Sequence, residues 1–166
     1  LKVRKPRVGL LNVGVEEEKG NALTKEVHQL LKVRKDINFI GNIEASDIPA
    51  GKADIIVCDA FAGNMILKMY EGVAKTFLKL IKKTFMKSLK TKVGALMVKK
   101  GLKEALKDYD AEKYGGAPLL GLTALVVKAH GNSKPDSFTI AINQCIPFKE
   151  ANLNVIIRER INAVQD

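Results

Sequence analysis

Three side chains join useful chemistry to a permissive backbone: Lys19 in Glu17-Glu-Lys-Gly-Asn21, Asn64 in Asp59-Ala-Phe-Ala-Gly-Asn64, and His130 in Lys128-Ala-His-Gly-Asn-Ser133. No Ser-His-Asp or Cys-His order accompanies them. A cation, an amide and an imidazole beside glycines suit phosphate binding and electrostatic stabilisation of an oxyanion better than covalent catalysis. Each has a structural alternative. An Asn near a helix start more often caps the helix than touches a substrate, so spacing alone favours a capping Asn64 ahead of Met65. His28 lies mid-helix between Val27 and Leu30, and the sequence assigns it no role.

These groups need elements to hold them. Val8-Gly-Leu-Leu-Asn-Val13 reads as a strand opening through Gly14 into a polar turn. Asn21 then starts a helix with Leu23, Val27, Leu30 and Leu31 on one face. Asn38 to Gly41 is a second strand, Asn42 to Pro49 a loop, and Asp54 to Cys58 a third strand. A helical pattern follows from Met65 through Phe77 to Phe85, breaks near Ser88 to Gly94, and resumes from Ala95 to Leu106. After the glycine-rich loop Tyr114 to Gly121 come a strand at Ala124 to Lys128, a helix from Asp136 to Ile142, and a terminal helix from Phe148 to Val164. Its stripe of Leu153, Ile156, Ile157, Ile161 and Val164 is expected to close the core.

Mostly apolar strands alternating with helices imply a parallel or mixed sheet covered by helices, an α/β fold. In a parallel sheet the loops after successive strands share one edge. Asn12 with Glu16 to Gly20, Asp59 with Gly63 and Asn64, Gly115 to Gly121, and His130 to Ser133 are therefore expected to face one cleft.

The 166 residues, 46% hydrophobic, suffice for one domain with a core. The start at Leu1, without an initiator Met, suggests a piece of a longer protein. Cys58 and Cys145 lack metal-ligand spacing, and Cys58, ending an apolar strand, reads as a buried free thiol in a reducing compartment. No metal or cofactor is expected. The net charge of +10 is concentrated. Lys75, Lys79, Lys82, Lys83, Lys87, Lys90, Lys92, Lys99, Lys100, Lys103 and Lys107 face Glu104 as the sole acid in that stretch. The lysines suit an anionic partner, an acidic protein or an anionic lipid surface. The apolar surface of this lysine-flanked helical hairpin suits an oligomer contact or an interfacial element on a membrane, with a packing role expected for its first helix. Nucleic acid is disfavoured by the lack of interleaved aromatics.

Five co-linear segments carry a resemblance: Pro6 to Gly14 with Glu17 to Asn21, Asn38 to Asn42, Asp59 to Gly72, Tyr114 to Gly121, and Lys128 to Ser133. In order and spacing they resemble the bacterial phosphate acyltransferase family PlsX, over nearly the whole chain and with the family's N-terminal half missing. The resemblance implies a three-layer α/β/α Rossmann-like sandwich, here an incomplete half, with residues 75–107 as a protruding basic hairpin. It implies a cytoplasmic homodimer, peripheral on the membrane, that moves an acyl group from acyl carrier protein to inorganic phosphate in phospholipid synthesis. Lys19 and Asn64 match the family's proposed active-site pair, and His130 is a further candidate. Asn12, Gly14, Gly20, Asn21, Gly63, Gly115, Gly116 and Gly131 fall in its phosphate and thioester loops. Lys82, Lys83, Lys87, Lys99, Lys100 and Lys103 are the expected carrier-protein or membrane contacts.

Three departures bear on geometry. Ala60 replaces the family's usual Gly, which matters if that residue needs positive φ. Thr123-Ala-Leu125 replaces a small-residue segment. Pro147 is expected to break a helix. Two rival readings remain: phosphotransacetylase-like transfer from a coenzyme A thioester, and a non-catalytic module for acidic partners.

Overall fold

Val8-Gly-Leu-Leu11 has no polar face, so a strand formed from it must be covered on both sides. In the computed structural model, which describes residues 3–106, 115–131 and 133–165, that strand is central. Lys107, Tyr114, Asn132 and the side chain of Val164 lie outside the described residues. The chain forms two compact units, Leu1–Met86 and Lys87–Asp166.

In the first unit, β1 (Arg7–Leu11) lies between β2 (Asn38–Ile43) and β3 (Ile55–Val57), parallel to both. Val8, Leu10 and Leu11 of β1 and Ile43 of β2 are its buried hydrophobic residues. The Arg7 guanidinium grips both Asp54 carboxylate oxygens, at 3.0 and 2.9 Å, and so pins the start of β3 to the start of β1. Helix α1 (Ala22–Lys32) joins β1 to β2 and is capped by Asn21, whose Oδ1 accepts from the Thr24 amide at 2.9 Å.

The register between β1 and β2 slips by one residue between the pairs Val8↔Phe39 and Leu10↔Asn42. Gly41, at φ 90°, lies within that slip and takes a backbone path that a side chain would resist. Side chains alternate along a strand, so Phe39 and Asn42 would ordinarily face opposite ways. The extra residue turns both toward α1, where they meet His28. The Phe39 ring stands edge-on to the imidazole at 5.1 Å, and Asn42 Oδ1 is 2.8 Å from its Nδ1. His28, left without a role by sequence, is thus a buried anchor of the unit. It takes the inner position expected of the leucines: Leu23 and Leu30 are exposed, and only Val27 and Leu31 are half-buried.

Helix α2 (Ala60–Phe85) begins earlier than the apolar pattern implies, because Asp59 is its cap. The Asp59 Oδ1 accepts from the Ala62 amide at 2.7 Å. Asn64 is therefore a residue of the helix and not its cap. Ala60, the first helical residue, has no positive φ, so the usual glycine is not needed for that turn. None of the α2 residues is buried, and Met65, Leu67, Val73, Phe77 and Leu78 are exposed, against the expected packing role.

The second unit opens with α3 (Leu89–Ala105), capped by Ser88, whose side chain and that of Thr91 each accept from the other's amide. That reciprocal cap confines the interruption to residues 86–88 and leaves Gly94 inside the helix. Strands β4 (Gly116–Leu119) and β5 (Val126–Ala129) are antiparallel, so part of the expected glycine-rich loop is a strand. Against them packs α4 (Pro135–Glu150), with Ser137 and Ala141 buried. The helix runs through Pro147, which removes one amide donor near its end without stopping it. The break comes at Asn152, in the left-handed region at φ 50°. The last helix, α5 (Leu153–Gln165), leaves Ile156 and Ile161 exposed, so its stripe does not close a core among the described residues.

Candidate functional site

A parallel sheet gathers the loops after its strands at one edge, and the first unit has a pocket there of about 860 Å³. Leu11, Asn12 and Val13 line it at the end of β1, Glu44, Ala45 and Ser46 after β2, and Asp59, Ala62 and Ile66 at the start of α2. Gly20, Asn21 and Thr24 complete it where α1 begins. Two capped helix N-termini thus open on the pocket, an arrangement that favours negative groups near their first turns. The carboxylates of Glu44 and Asp59 oppose that tendency.

Asn12 organises the near side. Its amide continues the ladder by donating to the Ile43 carbonyl at 2.9 Å, while its Nδ2 donates to the Lys19 carbonyl at 3.1 Å. Gly20, at φ 93°, is pressed against the side chains of Asn12 and Thr24, where a Cβ would collide with both. The Lys19 stem folds over Gly14, its Cγ 3.0 Å from where a Gly14 Cβ would stand. Lys19 is exposed and stands next to the pocket-lining Gly20, but is not itself among the residues lining the pocket.

Gly63 lets the first turn of α2 close on the end of β3, since a Cβ there would stand 2.7 Å from Cys58 Sγ. Cys58 is exposed as a residue, contrary to the buried thiol expected, although its sulfur is packed in this corner. Burial of that sulfur, and then the Asp59 carboxylate, push its thiol above the ordinary range, which disfavours a thiolate nucleophile. Asn64 is exposed on α2 and is not among the residues lining the pocket.

Gly115, Gly116, His130 and Gly131 belong to the second unit. Gly116 pairs with Ala129, so all four stand at one end of the β4–β5 hairpin. Gly115, at φ 67°, lies so close to α4 that a Cβ would meet the Ser137 carbonyl at 2.9 Å. His130 is exposed, and its carbonyl accepts from the Ser133 amide at 3.0 Å. Because this pair of strands is antiparallel, the rule that gathers loops at a parallel edge does not extend to them.

A model of the fatty acid synthesis protein family matches residues 1–156. The chain belongs to that family. It is 50% identical over 161 residues to a phosphate acyltransferase of Clostridium novyi (strain NT), covering 97% of this chain and 48% of that protein. It is 52% identical over 149 residues to one of Clostridium botulinum (strain Alaska E43 / Type E3), and 45% identical over 166 residues to one of Alkaliphilus oremlandii (strain OhILAs). The chain spans about half the length of these curated relatives.

Within this family member, Thr24, Glu44 and Ser46 are pocket residues that sequence reasoning missed. The signal for the latter two was available: they follow the second parallel strand, as Asn12 follows the first. Among the described residues, no group of three or more His, Cys, Asp or Glu could hold a metal ion. Among them, too, no helix is long and apolar enough to cross a membrane.

Proposed function

We propose that the protein carrying this chain is a phosphate acyltransferase that forms acyl phosphate from acyl-acyl carrier protein and inorganic phosphate, for phospholipid synthesis. The observation that carries this reading is the Lys19 turn, held by Asn12 beside a strand-end pocket, in a chain about 50% identical to phosphate acyltransferases. In the proposed reaction Lys19 holds the phosphate nucleophile. Asn64 donates a hydrogen bond to phosphate or to the thioester oxyanion, and His130 is a further candidate. Phosphate is already nucleophilic at neutral pH, so positioning and charge stabilisation are the protein's main tasks.

The same reading takes the chain as the C-terminal half of a single acyltransferase domain, a three-layer α/β/α Rossmann-like sandwich with residues 75–107 as its protruding hairpin. Exposed apolar residues along α2 are consistent with a homodimer surface, as a solvated helix does not need them. The exposed lysines Lys82, Lys83, Lys87, Lys99, Lys100 and Lys103 would meet the acidic carrier or an anionic membrane. Charge of that kind chiefly raises on-rates and makes association salt-sensitive.

The deciding experiment assays acyl phosphate with the full-length protein, acyl carrier protein thioester and phosphate. Lys19→Ala should abolish turnover while leaving the circular dichroism spectrum intact; full activity in that variant would remove Lys19 from the mechanism. For the basic surface, the full-length protein should sediment with anionic vesicles, less so at high salt and after charge reversal at Lys99, Lys100 and Lys103. No binding at low salt would leave only the carrier and dimer roles.

A further inference from the structure

The turn that carries Lys19 is held by a chain of hydrogen bonds that starts from a buried pair. Asn42 Nδ2 donates to the Glu16 carbonyl at 2.7 Å. A carbonyl only accepts, so this bond fixes which end of the amide faces the turn. Asn42 Oδ1 then faces His28 Nδ1 at 2.8 Å, and since that oxygen also only accepts, the proton of a neutral His28 must sit on Nδ1. Both side chains are almost wholly buried, at 3% and 4% exposure, so the bond between them is shielded from water, while the bond to the Glu16 carbonyl is part-buried. The remaining nitrogen, Nε2, faces Glu17 Oε1 at 3.9 Å, and the Glu17 carboxylate is itself held by Lys32 at 2.7 Å.

We propose that His28 is a positioning residue for the Lys19 turn, acting through Asn42 on the backbone of Glu16. The inference rests on the reading of Lys19 as the group that holds phosphate. His28 touches no reacting atom in this scheme. Its N–H orients Asn42, Asn42 fixes the Glu16 carbonyl, and the Lys19 amide donates to that same carbonyl at 3.2 Å. The glycine bulge in β2 gains a purpose here, because without the slip at Gly41 the Asn42 side chain would point away from His28. Supporting groups of this kind decide whether a binding side chain is held in place or merely present.

The test uses the full-length protein and the acyl phosphate assay, with phosphate varied at saturating acyl carrier protein thioester. His28→Phe keeps a ring against Phe39 but removes the donor. It should raise KM for phosphate about tenfold, the scale of one lost buried hydrogen bond, with KM for the thioester unchanged. His28→Asn, which returns an N–H near the Nδ1 position, should recover most of that loss. If His28→Phe and the parent have the same KM while Lys19→Ala is inactive, the His28 proposal falls and the Lys19 reading stands. If Lys19→Ala is fully active, the reading falls and the proposal with it. Should His28→Phe fail to fold, the unmodified protein still decides, through the ring nitrogen signals of neutral His28. A proton on Nδ1 supports the proposal, and a proton on Nε2 overturns it.

Discussion

Two strand-to-helix junctions line the same pocket by different means. After β3 the chain turns straight into α2, and Asp59 both ends the extended stretch and caps the helix. After β1 it makes an excursion from Asn12 to Asn21, held by Asn12 on the Lys19 carbonyl and by Asn42 on the Glu16 carbonyl. The first junction is held by a local bond, from the Ala62 amide to Asp59. The second depends on a residue of another strand, and through it on His28 of the intervening helix. A binding group mounted on such a turn is tuned by residues distant in sequence, which is the more adjustable arrangement and the more fragile one.

The sharpest way to break the contrast is at Gly20. An alanine there must adopt φ near 93° and force aside the side chains of Asn12 and Thr24, so Gly20→Ala should destabilise by about 3 kcal/mol. Gly41→Ala is the control, with φ 90° but open space around it, and should cost about 1 to 2 kcal/mol for the backbone alone. Denaturant titration measures both, and equal losses would show that the crowding at Gly20 is relieved by movement. At the local junction, Asp59→Ala removes the acceptor for the Ala62 amide and should cost about 1 kcal/mol, the usual value for a lost cap. Asp59→Ser should restore most of it. A loss above about 2 kcal/mol would mean that Asp59 has tertiary partners and that this junction is not local after all.

This contrast also explains what could be read from sequence. The strand, helix, strand, strand, helix order of the first unit follows from apolar periodicity and is the order observed. Asn21 as the start of α1 was legible because its cap is made to Thr24, three residues on. Asp59 was passed over in favour of Asn64 because the apolar pattern becomes continuous only at Met65, and a pattern marks the buried face, not the first helical hydrogen bond. Register slips leave no periodic trace, so neither the bulge at Gly41 nor the burial of His28 could be foreseen. A lone histidine between Val27 and Leu30 looks the same whether it meets an asparagine or solvent. In the second unit Pro147 was given too much weight, since the helix continues past the one amide donor it lacks to Glu150.

The smallest expected effect concerns the clamp that aligns the two strands feeding these junctions. Hydrogen bonds from the Arg7 guanidinium and backbone amide, with the attraction between the two charges, lower the Asp54 carboxyl to about 2. The ordinary value for an aspartate is about 3.9, so the folded state holds the ionised form more strongly than the unfolded state does. The stabilisation is therefore complete above about pH 4 and is lost as pH falls through about 2. Asp47, lowered by hydrogen bonds from Lys52 and the Glu44 amide, titrates in the same direction and adds to the slope. Asp54→Asn should be less stable than the parent at pH 6, and the difference should narrow progressively between pH 4 and pH 2. Because the pair is open to solvent, the gap at pH 6 should be modest and should shrink in high salt. A pH-independent gap would place the role of Asp54 in its packing at the start of β3, leaving the two junctions to align without help from the charge.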